Sequence, residues 1–285
     1  MRDVFAGIVD YAGLFPPASL TMADAVARYA EYRQSPDAWM LGRFVLAGSR
    51  LAELAASRLD VDGVWPLSAV LGAHIPNEVA QVEAFLARES HRFAVEAIET
   101  RVTAPGQVLV LGEQVPAKWE RYFEVPNEGS YSKLVQAIGE VGAFAKIRTG
   151  GTQAAQFPEP EQLTRFLIAI TAHGVRFKAT AGLHHPLRGE YPLTYAPDAE
   201  RAMMYGFVNL LLATAELVRS GDGEVAQAIL EEATPGAIAV AEDAITWRDT
   251  RYEAAELRAV RDAHFVGFGS CSFREPVDEL AQEVG

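Results

Sequence analysis

The chain of 285 residues has one cysteine, Cys271, and fewer basic than acidic residues, with 25 Lys and Arg against 38 Asp and Glu. A single thiol excludes an internal disulfide bond and fits a reducing compartment. The formal net charge of -13 argues against nucleic acid and anionic membrane surfaces as partners, because both require a basic face on the protein. Any positively charged site must therefore be local.

Long uninterrupted apolar segments are also missing. Asp3 and Asp10 lie where a signal peptide would need an unbroken apolar stretch, so we expect a cytoplasmic protein. The most apolar helix candidate, residues 202–218, contains Asn209, Thr214 and Glu216 and is short for a membrane span. We expect part of this helix to pack within its own subunit and part on another subunit, which predicts a homo-oligomer.

The chain instead contains short apolar runs that alternate with amphipathic helical stretches, and no low-complexity linker divides it. Strands that alternate with helices predict parallel βα units, and eight of them predict a single α/β domain over 1–285, a (β/α)8 TIM-type barrel. An open doubly wound sheet is the alternative. The first candidate strand also fits a loop that caps the barrel. The candidate strands are residues 7–14, 43–48, 67–73, 92–99, 121–125, 143–149, 175–182 and 264–270.

Two segments exceed a minimal barrel and are predicted to be insertions. Residues 102–120 have the composition of an extra strand and loop where a helix is expected. Residues 186–263 contain a proline-rich loop, the apolar helix, a second helix near 223–233 and a hairpin at 244–252. Because the second insertion follows the seventh strand, it is placed to cover the mouth of the barrel or to build a subunit interface.

Two of the predicted strands carry a lysine, in FAKIRTGG at 144–151 and FKATAGLHH at 177–185. Side chains alternate along a strand, so Lys146 shares a face with Arg148, and Lys178 shares a face with Thr180. If both faces point into the barrel, the lysines meet near its axis. Burial and a neighbouring cation both lower the pKa of a lysine, which would leave an amine able to form a Schiff base with a carbonyl compound.

The stretches KIRTGG, KATAGLHH and GFGSCSF resemble class I aldolases of the deoxyribose-phosphate aldolase type. In that family, a Lys-x-x-Thr-Gly strand carries the Schiff-base lysine, a Lys-Ala-x-x-Gly strand carries a lysine that lowers its pKa, and a Gly-Ser-Ser turn holds phosphate. The resemblance covers only the last three strands. Arg148 stands where the family has a small residue, and the family's acidic proton relay has no clear match. The implied roles are the Schiff base for Lys146, its tuning for Lys178, and anion binding for Gly269, Ser270 and Ser272.

Other candidates carry competing interpretations. Glu124, at a strand end, and His184, after the seventh strand, are candidate proton carriers, and Arg148 and Arg188 are candidate anion-binding residues. Lys146 and Arg148 could instead form structural ion pairs with Glu96, Glu99 or Glu124. Ser272 and Glu275 also match a helix capping box, which needs no ligand. Cys271 has no assigned base, which favours a packing role over a nucleophilic one.

The sequence thus predicts a lyase of aldolase type that acts on a small anionic carbonyl compound through a lysine Schiff base, with no cofactor and no metal. Either lysine could be the nucleophile. One alternative is a metal-assisted lyase or isomerase that uses Glu and His, although no HxH, HxxxH or HExxH spacing is present. The other is a non-catalytic barrel that binds a metabolite.

Overall fold

The computed structural model describes residues 1–57 and 63–283. Eight parallel strands close a barrel in chain order, so the predicted (β/α)8 architecture is confirmed. Each of the eight predicted segments contains or overlaps one barrel strand, including the first. With all strands of the described chain numbered in order, the barrel strands are β1 (Val9–Tyr11), β2 (Leu41–Ala47), β3 (Trp65–Val70), β4 (Phe93–Arg101), β5 (Glu120–Glu124), β6 (Phe144–Arg148), β7 (Phe177–Thr180) and β13 (Phe265–Ser270).

Helices follow the strands and begin and end where local sequence signals place them. Thr21 caps the helix after β1 by accepting a hydrogen bond from the backbone N–H of Asp24. The helix after β6 starts at Pro160 and stops at Gly174, whose φ of 62° favours glycine. The helices outside the second predicted insertion are α1 (Arg2–Phe5), α2 (Met22–Gln34), α3 (Leu51–Ala55), α4 (Ile75–Glu89), α5 (Pro105–Gln114), α6 (Ser132–Glu140), α7 (Pro160–His173) and α11 (Arg274–Glu283).

The helix α5 corrects the expectation of an extra strand and loop at residues 102–120. Its β-branched run is typical of a strand, but the residues that face the core, Val108, Leu111 and Val115, recur with helical spacing. Leu109 and Val110 between them are exposed. This segment is therefore the ordinary helix that connects β4 to β5.

The segment between β7 and β13 packs on the barrel and shares its main apolar core. It contains the two-stranded sheet of β8 (Gly189–Pro192) and β9 (Arg201–Met204), followed by α8 (Phe207–Ser220) and α9 (Gly223–Glu231). The predicted hairpin forms from β11 (Ala244–Trp247) and β12 (Thr250–Glu253), joined by β10 (Ile238–Val240) into a three-stranded sheet. The helix α10 (Ala254–Ala263) leads back to the barrel.

The apolar helix α8 is covered by its own chain. Residues 207–217 are all buried, and the helix packs against α7, α9, α10 and β13. The apolar surface that motivated a subunit interface is therefore satisfied within one subunit, and the homo-oligomer stays a prediction. Within the described residues, no helix is both long enough and apolar enough to cross a membrane.

The main apolar core lies between the strands and the surrounding helices. Inside the barrel a separate small apolar cluster consists of Ala97, Tyr122 and Phe144, with Val266 packed against it. The rest of the interior near the axis is charged, which departs from the layers of branched apolar residues that usually fill such barrels. The site is built from this charged interior.

Candidate active site

A cavity of about 660 Å³ opens at the carboxyl ends of the barrel strands. This is the end at which enzymes of this architecture carry their active sites. The size lies within the range of roughly 300 to 1,000 Å³ that is usual for small-molecule sites. Charged side chains from four consecutive strands line it, namely Glu99, Arg101, Glu124, Lys146, Arg148 and Lys178.

The two lysines lie side by side, as the strand alternation predicts. Lys146 on β6 and Lys178 on β7 are register partners in neighbouring parallel strands, and both side chains are buried. Both also line the cavity. The predicted meeting of the lysines inside the barrel is therefore correct.

Glu99 on β4 lies between the two ammonium groups. Its Oε1 is 2.7 Å from Lys178 Nζ and accepts a hydrogen bond of 2.6 Å from the hydroxyl of Ser68, while its Oε2 is 2.7 Å from Lys146 Nζ. The Glu99 side chain is only 1% exposed. Lys146 also contacts Glu124 Oε2 at 2.8 Å, and Lys178 contacts Asp10 Oδ2 at 2.5 Å.

This cluster is close to neutral in total charge. Three carboxylates (Asp10, Glu99 and Glu124) face the two lysines, and Glu124 also pairs with Arg101 at 2.9 Å. Buried charges are tolerated only when they are paired and hydrogen-bonded, so each member of the cluster fixes the others. The alternative interpretation of Lys146 and Arg148 is that each forms structural ion pairs with nearby glutamates. Lys146 does form such pairs, with Glu99 and with Glu124.

The carboxylates decide the direction in which the pKa of Lys178 shifts. Burial alone would lower the pKa of Lys178, but Asp10 and Glu99 outweigh burial and raise this pKa above its usual value. Burial would likewise raise the pKa of Glu99, but the two ammonium groups hold it well below its usual range. Lys178 is therefore charged at neutral pH, which excludes it as the neutral amine that the meeting of two cations predicted for one of the two lysines.

Lys178 also separates two cavities. A second cavity of about 340 Å³ lies at the amino-terminal end of the strands and is lined by Lys178 and Asp10 together with Arg43, Glu96, Glu120 and Tyr122. There Arg43 forms ion pairs of 2.9 Å with both Glu96 and Glu120. Glu96, weighed as a partner for Lys146, thus belongs to the opposite end of the barrel.

Glu124 and Arg148 both lie at the carboxyl-end cavity, as predicted. Burial would raise the pKa of Glu124, but Lys146, Arg148 and Arg101 lower it. Arg101, the other partner of Glu124, has 78% of its side chain exposed. Arg148 makes no hydrogen bond or ion pair with any residue in the described ranges.

His184 lines the cavity but is held by the turn after β13. Its Nδ1 lies 3.2 Å from Ser270 Oγ, 3.1 Å from Glu275 Oε2 and 3.9 Å from Cys271 Sγ. Burial would lower the pKa of His184, but Cys271 and Glu275 raise it to about 10. These neighbours favour the protonated ring, which can donate a proton.

The predicted anion-binding turn is occupied by internal contacts. Ser270 Oγ accepts a hydrogen bond from the Ser272 N–H, and Ser272 Oγ accepts one from the Glu275 N–H, as the capping interpretation requires. Gly269 and Cys271 line the cavity, whereas Ser270 and Ser272 do not. This turn therefore offers little for an anion, and Glu275 adds a negative charge beside it.

Arg188 is not part of the cavity lining. Its guanidinium lies 4.7 Å from the centroid of the Tyr205 ring, and its backbone N–H donates to Asn209 Oδ1. The predicted grouping of Arg188 with Arg148 and the lysines does not occur in the structure.

Sequence reasoning left Asp10, Ser68, Arg101 and Thr180 out of the site. Asp10 lies on the short first strand, which also fitted a loop. Arg101 follows Glu99 by two residues and so shares its strand face, a signal that was available. Thr180 lines the cavity, and its buried hydroxyl has no hydrogen-bond partner among the described residues.

The described residues contain no group of three or more His, Cys, Asp or Glu side chains arranged to hold a metal ion. A scan against protein-family models finds no match to the chain, and a search of curated proteins finds none either.

Proposed function

We propose that the chain is a lyase of aldolase type that acts on a small anionic carbonyl compound through a Schiff base on Lys146. One observation carries the proposal: Lys146 lines the cavity at the carboxyl end of the barrel and contacts two carboxylates that can remove its proton. The resemblance of KIRTGG and KATAGLHH to class I aldolases assigns the same two lysines. The cavity is also large enough for a small substrate.

The two lysines take different roles because their neighbours differ. Lys178 is 2% exposed, contacts Asp10 and Glu99, and has a raised pKa, so it is the fixed cation that holds Glu99 in place. Glu99 in turn fixes the position of Lys146. Lys146 is the nucleophile, because its second partner, Glu124, belongs to the cavity wall.

Glu124 is the proton carrier in this scheme. It accepts the proton of Lys146, and the neutral amine then attacks the carbonyl carbon to give a carbinolamine. The protonated Glu124 returns the proton to the hydroxyl group, which leaves as water and yields the imine. The bond between the α and β carbons then breaks: Glu124, unprotonated again, takes the proton of the β-hydroxyl, the β carbon leaves as an aldehyde, and the electron pair of the bond converts the protonated imine into an enamine. Protonation of the enamine at the α carbon and hydrolysis of the imine release the second product and Lys146. Glu99 is less suited to proton transfer, because three donors already hold it.

Trapping with borohydride tests the proposal directly, and the lysine content makes the result easy to interpret. The chain has four lysines, of which Lys118 and Lys133 are exposed and lie outside the cavity. Incubation with a panel of aldehydes and keto acids followed by borohydride should leave an adduct on the peptide that contains Lys146. The variant Lys146→Met should abolish this adduct, whereas the control Lys133→Met should leave it unchanged.

One observation favours the non-catalytic alternative: both cavity lysines are ion-paired, as in a structural network. Binding of panel members without an adduct and without turnover would support a metabolite-binding barrel. Turnover that a chelator abolishes, again without an adduct, would support the metal-assisted alternative. Either result would refute the Schiff base on Lys146.

A further inference from the structure

The wall of the carboxyl-end cavity is divided into a charged half and an apolar half. The charged groups come from β4 to β7. The opposite half comes from β2, β3 and the segments that follow β1 and β3, and it presents almost entirely apolar side chains. These are Ala12, Phe15, Pro16, Pro17, Val45, Val70, Leu71 and Ala73. A substrate that fills the cavity must therefore present a polar end to one half and an apolar portion to the other.

The charged half can accept about one negative charge. Among the cations of the described chain that line the cavity, Arg101, Lys146, Lys178 and His184 each pair with a carboxylate. Arg148 alone makes no hydrogen bond or ion pair there, although its charge lowers the pKa of the nearby Glu124. A guanidinium binds a carboxylate through two parallel hydrogen bonds, which matches one negative charge to one arginine.

Besides Arg148, the wall offers an anion the unpartnered hydroxyl of Thr180, whereas several backbone N–H groups of its loops are already used. The backbone N–H groups of Ser272 and Glu275 donate within their own turn, as described above. In the loop after β6, the N–H groups of Thr152 and Gln153 both donate to Gln156 Oε1. The loops after β6 and β13 thus use these backbone N–H groups for contacts within the loop. The two negative charges of a phosphate would therefore have few donors to balance them beside the carboxylates of Glu99 and Glu124.

We infer that the site takes a carbonyl compound with one carboxylate and an apolar chain of several carbons. The carboxylate binds Arg148, and the chain lies against the wall formed by β2, β3 and the segment after β1. This inference rests on the proposed function for the carbonyl group alone. The carboxylate and the chain follow from the division of the cavity wall.

Saturated acids test this assignment without any chemistry, because they have no carbonyl group for Lys146 to attack. Dissociation constants of butanoate, hexanoate and octanoate should be measured by calorimetry, together with those of the alkyl phosphates of equal length. Affinity for the acids should rise roughly fourfold per methylene group until the chain reaches the end of the wall. Each acid should bind more tightly than its phosphate counterpart.

Two variants separate the two ends of the ligand. Arg148→Gln should weaken all the acids by a similar factor, roughly tenfold or more, and leave the dependence on chain length intact. Val70→Ser should reduce the dependence on chain length, whereas the same change at the exposed Val110 should have no effect. Melting temperatures of the unliganded variants confirm that each one folds, and Arg148→Lys provides a second probe of the arginine.

A flat series of affinities, tighter binding of the phosphates, or unchanged binding by Arg148→Gln would overturn the inference. These results are distinct from failure of the Schiff base. Chain-length-dependent binding of the acids without borohydride adducts would refute the imine and keep the ligand class. Adducts on Lys146, together with acid affinities that do not change with chain length, would keep the imine and refute the ligand class.

Discussion

Replacement of Glu99 by Gln should strongly destabilise the folded protein. The carboxylate is 1% exposed and contacts Lys146 Nζ and Lys178 Nζ at 2.7 Å each. An amide of the same shape keeps the packing but removes the negative charge that both ammonium groups share. Removal of one partner from a buried ion pair costs about 3 to 5 kcal/mol, and here two cations each lose a partner, so we expect a loss at the upper end of that range.

Urea denaturation at pH 7 measures this loss, and the same strand supplies a matched control. Glu96, also on β4, pairs with Arg43 but is 47% exposed, so Glu96→Gln should cost no more than about 1 kcal/mol. Equal losses for the two variants would refute the description of the cluster as a set of interdependent buried charges. Addition of Lys178→Met to Glu99→Gln should restore part of the stability, since it removes one of the two cations that Glu99 served.

Two further expectations follow from the buried polar groups. Folding lowers the pKa of Glu99 and that of Glu124. The two carboxylates therefore stabilise the folded protein fully above the usual pKa of 4.5, and this contribution is lost as the pH falls below that value. An unfolding free energy that stays constant from pH 7 to pH 3 would contradict this. Asn209 on α8 is fully buried, accepts from the Arg188 N–H and donates to the carbonyls of Ile229 and Glu232. Asn209→Ala should therefore cost about 3 kcal/mol in urea denaturation, while Gln227→Ala on α9, whose half-buried side chain donates only to Glu231, should cost little. A cost for Asn209→Ala as small as that of Gln227→Ala would show that the hydrogen bonds of Asn209 contribute nothing.

The architecture could be predicted from the sequence because it depends on local signals. Each barrel strand lies in or overlaps a short segment rich in β-branched or aromatic residues, and all eight segments were identifiable. The insertion between β7 and β13 was visible for the same reason. The exception is α5, where Val108, Leu111 and Val115 face the core with helical spacing. The intervening apolar residues masked that spacing and produced a strand prediction.

The partners of the lysines could not be predicted in the same way, because they come from distant strands. Strand alternation placed Lys146 and Lys178 on one face, but only closure of the barrel brings Asp10 and Glu99 to Lys178. The pKa of Lys178 depends on those two carboxylates. The sequence therefore predicted the position of Lys178 correctly, but not the carboxylates that raise its pKa.

The aldolase resemblance implies the Schiff base for Lys146 and a tuning role for Lys178, and in the structure the two lysines differ in what each one faces. Lys178 lines both cavities, and of its partners Glu99 lines the carboxyl-end cavity and Asp10 the amino-end cavity. Lys146 contacts Glu99 and also Glu124, at the mouth. A nucleophile needs a base that can exchange protons near the substrate, and Glu124 meets that requirement because its other partner, Arg101, is largely exposed. The assignment of Lys146 as nucleophile thus depends on Glu124, and Glu124→Gln should impair trapping at Lys146 while preserving the contact between Glu99 and Lys178.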